Sequence, residues 1–395
     1  MVQRSYQQYQ RIFSGHRLPL AFCDLDMLDA NAEALQARAA GMPMRLATKS
    51  IRCVSIIKYV LERFPGFRGV MAFSPREACF LADQEIDDIL IGYPSVESSE
   101  LEPCLERVKA GKKITFMVDH ERHIEILSDL ALRLGVEAAI CIDVDLSTAL
   151  PGLHFGVYRS PITCTKDAQG LIDKIGASAG IQLTGVMGYE AQLAGVADAV
   201  PGTPLKNLLI RFLKWFARRE CFPRRQQLVA DLGRQGFDLK FVNGGGTGSI
   251  ELTKLDASVT ELTVGSGLYS PGLFDHFAQF HHEPAAGFVL PVVRIARPGV
   301  YACSGGGYIA SGPTDDDKQP RPFLPKGVQL IKLLGAGEVQ TSIRSQTQLH
   351  IGDPVLFRHA KAGELCERFN KLSLVRGDRI EAEVTTYRGD GQCFW

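Results

Sequence analysis

Lys49 is the residue whose type and position carry the most chemistry in this sequence. It closes the run MRLATKS (44–50), whose apolar character predicts a strand. A group at the carboxyl end of a strand in an α/β barrel points into the mouth where catalytic side chains collect. Desolvation there favours the neutral amine, a nucleophile able to form an imine with a carbonyl. Two glycine-rich loops lie far downstream, NGGGTGS (243–249) and, after ELTV, GSGLYS (265–270). Neither is a Walker loop nor a good GxGxxG. Consecutive backbone N–H groups, with the hydroxyls of Thr247, Ser249 and Ser266, can nonetheless cradle a phosphate. Alone, each feature also reads as a surface lysine or an ordinary turn.

The elements that must position these groups follow from periodicity. From residue 19 to about 270, short apolar runs alternate with longer amphipathic stretches, the pattern of repeated βα units and a parallel sheet. Candidate strands fall at 19–26, 44–50, 69–74, 87–94, 113–119, 137–145, 181–190, 239–246 and 261–267. Nine is one more than a closed barrel takes. Helical spacing marks VSIIKYVLERF, PREACFLADQ, HIEILSDLALRLG and LKNLLIRFLKWFARRE, with Pro75 and Pro204 at first-turn positions and Ser99 before an acidic helix start. After residue 275, prolines punctuate short runs such as VVRIAR and RIEAEVTTYR, which predicts a small antiparallel β domain. Barrel enzymes bind phosphate after strands seven and eight, where the two glycine loops fall. An early strand-end lysine with two late phosphate loops fits pyridoxal 5′-phosphate, an aldehyde tethered by its phosphate.

The opening LPLAFCDLDMLDANAEAL followed by RLATKS resembles the start of the alanine-racemase-like fold-type III pyridoxal-phosphate enzymes. Arg45, four residues before Lys49, and the later GYEAQ, NGGGTGS and ELTVGSGLYSPGLFD segments are most similar to the D-threonine aldolase and D-serine dehydratase branch, also termed amino acid deaminase/aldolase. The resemblance runs over most of the chain. It implies a (β/α)8 TIM-type barrel followed by a smaller antiparallel β domain that includes the N-terminal strand. The divisions are then residues 1–26 (a segment joining the β domain), 27–275 (barrel) and 276–395 (β domain). Lys49 would be the imine-forming lysine and the base or acid at Cα. Arg45, His154, Tyr189, Asn243, Gly245, Gly246, Thr247, Gly265, Ser266 and Tyr269 would line the cofactor.

Two stretches depart from the branch. Its segment ending Arg-x-Gly-Val, which faces the pyridine ring, reads LHFGV here, with His154 in the Arg position. An Arg keeps its proton, whereas a histidine can change charge or tautomer. The second is the branch's metal site, a His with an Asp or Cys two residues on; here the sequence is FRHAKAGELC, with Lys361 in the second place. Either His359 and Cys366 hold Zn²⁺ or Mn²⁺, or Lys361 supplies the positive charge while His359 serves directly as general base or acid on the substrate's β-hydroxyl.

The implied activity is a lyase on 3-hydroxy-D-amino acids, by retro-aldol cleavage or deamination, in a homodimer. The alternatives are a racemase, a non-catalytic pyridoxal-phosphate carrier and a sugar-phosphate barrel enzyme. Forty-four Lys plus Arg balance forty-four Asp plus Glu, so no basic excess exists to hold a nucleic-acid backbone. No apolar run approaches the roughly 18 residues of a membrane span. Ten cysteines without a CxxC pair fit a reducing, cytoplasmic setting. Arg52, Arg76 and Arg159 are read as surface charges, with a second substrate carboxylate as the alternative partner.

Overall fold

The computed structural model describes residues 4–394. They form two compact units. One comprises Gln36–Lys49 and Ile57–Gly265 with the end of the chain at Phe394; the other comprises the residues up to Leu35, Ser50–Ile56 and Ser266–Cys393.

The first unit is a closed parallel barrel. Its strands are β1 (Met44–Ala47), β2 (Phe67–Ala72), β3 (Ile89–Ile91), β4 (Ile114–Val118), β5 (Ala138–Val144), β6 (Ile181–Gly188), β7 (Phe241–Gly244) and β8 (Glu261–Val264), with β8 pairing back onto β1. Burial on both faces explains why these segments read as continuous apolar runs. Helices follow the strands with conventional starts: Ser74 caps Pro75–Asp83 by accepting from the Glu77 N–H, with Pro75 in the first turn. The helix expected to start after Ser99 begins two residues earlier, at Ser98, so Ser99 lies in its first turn.

The barrel interior is filled, as a packed core must be. Leu90, Met117, Cys141 and Met187 form one layer, with Met71 and Phe241 against it. Phe241 pairs with Gly185 across β6 and β7, and a Cβ at Gly185 would lie 2.3 Å from Phe241 Cζ. Beside that layer Arg45 points inward between Glu261 (2.8 Å) and Asp88 (2.9 Å). A polar side chain inside a barrel is tolerated only when every donor finds an acceptor, and here the three guanidinium nitrogens reach Glu261, the Asp88 carboxylate and the Asp88 and Val70 carbonyls.

The second unit is built on a nine-stranded sheet. The N-terminal strand Leu20–Asp24 lies at its centre, antiparallel to Ala286–Arg297 and parallel to Lys371–Arg376. This resolves the ninth candidate strand: it belongs to the β unit, leaving eight for the barrel. A short helix, Tyr6–Ile12, precedes it and is held by a capping box between Ser5 and Gln8. Tyr9, Ile12 and Phe13 pack with Phe22, Val289, Leu356 and Val375. Phe22 is fully buried, so Phe22→Ala removes about 3–5 kcal/mol of stability. Among the described residues no helix is long and apolar enough to cross a membrane.

Candidate active site

Lys49 ends the barrel's first stretch, in a single 3-10 turn (Thr48–Ser50) directly after β1. Its Nζ donates to the Tyr93 hydroxyl at 2.9 Å. Tyr93 stands two residues beyond β3. The Arg159 guanidinium lies 4.9 Å from the Tyr93 ring centre and 5.9 Å from that of Tyr189, just past β6. Arg159 is held by Asp143, on β5, through a 2.7 Å Nε–Oδ2 contact and by the Gly92 carbonyl at 2.8 Å. Strand ends β1, β3, β5 and β6 therefore bring together one amine, two phenols, one guanidinium and one carboxylate.

The electrostatics follow from that arrangement. Burial raises the Tyr93 phenol, but Lys49 and then Arg159 pull it down further, leaving it below the ordinary tyrosine value. Tyr189 is pushed up to about 12 by burial. Asp143 is raised to about 6, again by burial, with Arg159 acting in the opposite sense. Its second oxygen, Oδ1, is buried without a hydrogen-bond partner among the described residues.

The glycine loop after β7 is fixed from two sides. Glu190 Oε2 accepts from the Gly245 N–H at 2.7 Å. Arg225, on the long helix Pro204–Arg234, pairs with Glu190 (2.6 Å) and Asp256 (2.8 Å), and all three side chains are fully buried. On the other side Arg38 donates to the Thr247 carbonyl at 2.7 Å and forks onto Glu251. Gly245 needs its glycine, having φ +74°, and a Cβ at Gly246 would sit 3.0 Å from Ala194 Cβ and 3.4 Å from Tyr189 Cε2. The loop backbone thus packs directly against Ala194 and the Tyr189 ring, leaving little room for a side chain at Gly246.

Several sequence expectations change here. The Gly245 N–H is spent on Glu190 and that of Gly246 on Ser249 Oγ, so these two glycines shape the loop instead of donating to a phosphate. Thr247 and Gly265 are both buried, at this loop and directly after β8. Arg45 and Asn243 share Glu261 inside the barrel; Asn243 donates to it at 2.8 Å and accepts from Thr263. Both support the strands and do not line the mouth. His154 sits on a hairpin, Thr148–Leu150 with Leu153–Phe155, stacked on the exposed Tyr158 at 3.9 Å. The guanidinium near Lys49 comes from Arg159, five residues later, which the sequence had marked as a surface charge. Arg52 lies in the β unit, paired with Glu367.

The β unit holds the remaining candidates. Ser266 and Ser50 share a 3.0 Å hydroxyl contact. Tyr269 is fully buried and donates to the Ile51 carbonyl at 3.2 Å, so its hydroxyl is already committed within the protein. His359 is fully buried, edge-on to Tyr269 with ring centres 6.2 Å apart. Burial, and then Arg358, lower its pKa to about 4, so it is a neutral imidazole. The backbone of Ala362 and Ala286 comes close, but neither ring nitrogen completes a hydrogen bond among the described residues. Lys361 donates to the Ser311 carbonyl and hydroxyl, both at 2.8 Å. The Cys366 thiol donates to the Ile51 carbonyl at 3.2 Å, and burial raises its pKa well above the ordinary value. Among the described residues no group of three or more His, Cys, Asp or Glu side chains could hold a metal ion, and this donor set does not fit one.

The family profile "Alanine racemase, N-terminal domain" matches residues 23–271. The chain belongs to the alanine racemase N-terminal domain family. This member of the family is 29% identical over 252 residues to a 3-hydroxy-D-aspartate aldolase of Paracoccus denitrificans, covering 63% of this chain and 59% of that protein. A second such aldolase, from strain Pd 1222, is 27% identical over 251 residues with the same coverage. The chain thus spans about three-fifths of the length of the curated relatives it matches. Among solved structures, the D-threonine aldolase of Filomicrobium marinum superposes with a TM-score of 0.79 at 19% identity, covering 94% of this chain and 95% of that one. The D-threo-3-hydroxyaspartate dehydratase of Delftia sp. HT23 gives 0.71 at 17%, covering 95% and 98%. The alanine-racemase-like barrel with an antiparallel β unit is therefore the fold of this family member.

Proposed function

We propose that this protein is a pyridoxal-phosphate-dependent lyase acting on 3-hydroxy-D-amino acids, with Lys49 as the cofactor-binding lysine. The observation that carries the reading is the placement of the Lys49 amine beside Tyr93 and Arg159 at the strand ends of an alanine-racemase-type barrel. The glycine loop after β7, packed against Tyr189 and followed by the buried Thr247, lies at the barrel end where such enzymes bind phosphate. Thr247 and Gly265 would hold its phosphate, Tyr189 would flank the ring and Arg159 would present a permanent positive charge. Once bound, the cofactor supplies the electron sink that weakens bonds at the amino acid's Cα.

The chain's own residues then decide which bond breaks. A neutral Lys49 amine can take or return a proton at Cα, as deamination requires. His359, kept neutral by burial, would be in the protonation state that a base for a β-hydroxyl needs, as retro-aldol cleavage requires. The names of the aldolase and dehydratase relatives support both outcomes. The donors around His359 among the described residues do not fit a metal ion. A homodimer is part of the proposal, checked by sedimentation. So is a cytoplasmic setting, with which ten free cysteines agree.

The test is spectroscopic first. The purified protein should carry a visible lysine-linked absorbance, fixed by borohydride as a mass increment on the Lys49 peptide and absent in Lys49→Ala. A panel of 3-hydroxy-D-amino acids, read in parallel for aldehyde with glycine, keto acid with ammonia, and the opposite enantiomer, separates aldolase, dehydratase and racemase. A colourless protein unchanged by added pyridoxal phosphate refutes the reading.

A further inference from the structure

We propose that Tyr93 is a catalytic residue, the phenol that exchanges a proton with the Lys49 amine. The role rests on the reading of Lys49 given above.

Three observations carry it. The Tyr93 hydroxyl is 2.9 Å from Lys49 Nζ, within proton-transfer reach, and the amine stands 5.5 Å from the ring centre, meeting the hydroxyl end of the phenol. The charged neighbours are Lys49 from the β1 turn, Arg159 over the ring, and Asp143 from β5, which holds Arg159. Two cations thus face the phenol directly, while the one carboxylate acts through a guanidinium. Tyr189 is the other phenol close by and is kept protonated by burial. The position is also constrained: Pro94 follows Tyr93, restricting its backbone to extended conformations, and Arg159 donates to the Gly92 carbonyl on its other side.

A lysine must be neutral to attack a carbonyl carbon, so its ammonium needs a place to leave its proton. Tyr93 as phenolate provides it: the N–H bond of Lys49 breaks, the proton joins the Tyr93 oxygen, and a neutral amine faces a neutral phenol. Total charge and electron count are unchanged. When the lysine is displaced by a substrate amine, the proton passes back. Arg159 stabilises the phenolate between these events.

The experiment uses the full-length chain with its cofactor. D-alanine, which lacks a β-hydroxyl, displaces Lys49 without permitting either cleavage, and the displacement is followed by stopped-flow absorbance. Tyr93→Phe should slow it by about tenfold or more and move its pH profile, with the final amplitude unchanged. Phenolate absorbance in the ultraviolet should show a tyrosine ionising below the ordinary range in wild type, absent in Tyr93→Phe and moved upward in Arg159→Gln. Wild-type rates and an unmoved profile in Tyr93→Phe, or no early-ionising phenol, overturn the proposal. A wild type that never links cofactor to Lys49 is a separate result, read from the borohydride mass, and it overturns the reading on which the role stands.

Discussion

Arg225→Met asks whether the glycine loop is held by a buried charge network. Arg225 is fully buried and makes every one of its contacts inside the barrel unit: Glu190 at 2.6 Å, Asp256 at 2.8 and 3.0 Å, and the Gly188 carbonyl at 3.1 Å. Methionine keeps much of the volume but removes the charge, leaving two carboxylates in a low-dielectric interior. Breaking a buried pair in this way costs about 3–5 kcal/mol. At roughly 2–4 °C per kcal/mol for a domain of this size, the barrel should melt about 6–20 °C lower. Asp256 is still desolvated and still accepts from Ser258 and Gln226, but it loses the cation that, together with those hydrogen bonds, outweighs burial and holds its pKa below the usual range. In wild type that depressed pKa contributes stability above the unfolded value near 4, lost as pH falls through the folded one. Without Arg225, burial of Asp256 is opposed only by the Ser258 and Gln226 hydrogen bonds, so its carboxyl is raised and the deficit should grow from pH 5 to pH 8. The assay is thermal unfolding across that range, with Arg225→Met alone and combined with Glu190→Gln and Asp256→Asn. A shift under about 2 °C that does not vary with pH, or no recovery in the triple variant, would refute the reasoning.

Gly245→Ala forces a non-glycine residue to φ +74° with its Cβ 3.0 Å from Thr253 Oγ1; about 1–3 kcal/mol of strain should weaken pyridoxal-phosphate affinity by equilibrium titration more than it lowers melting temperature. Asp143, raised from 3.8 to about 6 by burial, destabilises the fold once ionised, because the unfolded chain releases that proton at lower pH. The stability of Asp143→Asn relative to wild type should therefore improve by about 2 kcal/mol between pH 4 and pH 7, measured by denaturant melts. Exhaustive chelation should leave turnover of 3-hydroxy-D-amino acids unchanged; stoichiometric Zn²⁺ or Mn²⁺ in the purified protein, with activity lost on its removal, would contradict the donor set around His359.

How much was legible depended on the range of the signal. Barrel strands announce themselves locally, because burial on both faces writes apolar runs such as ITFMV and AAICIDV, and Lys49 was found by its place after one of them. The position of Leu20–Asp24 follows from the resemblance and from a count of nine strands, not from local pattern, because its pairing with Lys371–Arg376 joins residues some 350 apart. The long helix continues past the visible amphipathic stretch LKNLLIRFLKWFARRE through Pro223 to Arg234; a proline reads as a stop although tertiary packing overrides it here. In the sequence Arg159 is a barrel-mouth group that reads as a surface charge; its place beside Tyr93 could not be read because the hairpin at 148–155 carries His154 out to Tyr158 and delivers a later arginine to the mouth. The Glu190–Arg225–Asp256 triad carries no sequence pattern: its members are 31 or more residues apart and meet only when the barrel closes. Arg225, which follows Arg224 on a helix, is fully buried.

The contact between Gly185 and Phe241 has an evolutionary consequence. With the Phe241 ring occupying the space of a side chain at position 185, the two positions cannot vary independently: an enlargement at one has to accompany a reduction at the other. A library randomised at both and selected for folding should return pairs of nearly constant combined volume, large with small in either order, so that the barrel's sixth and seventh strands drift through sequence space as a single unit.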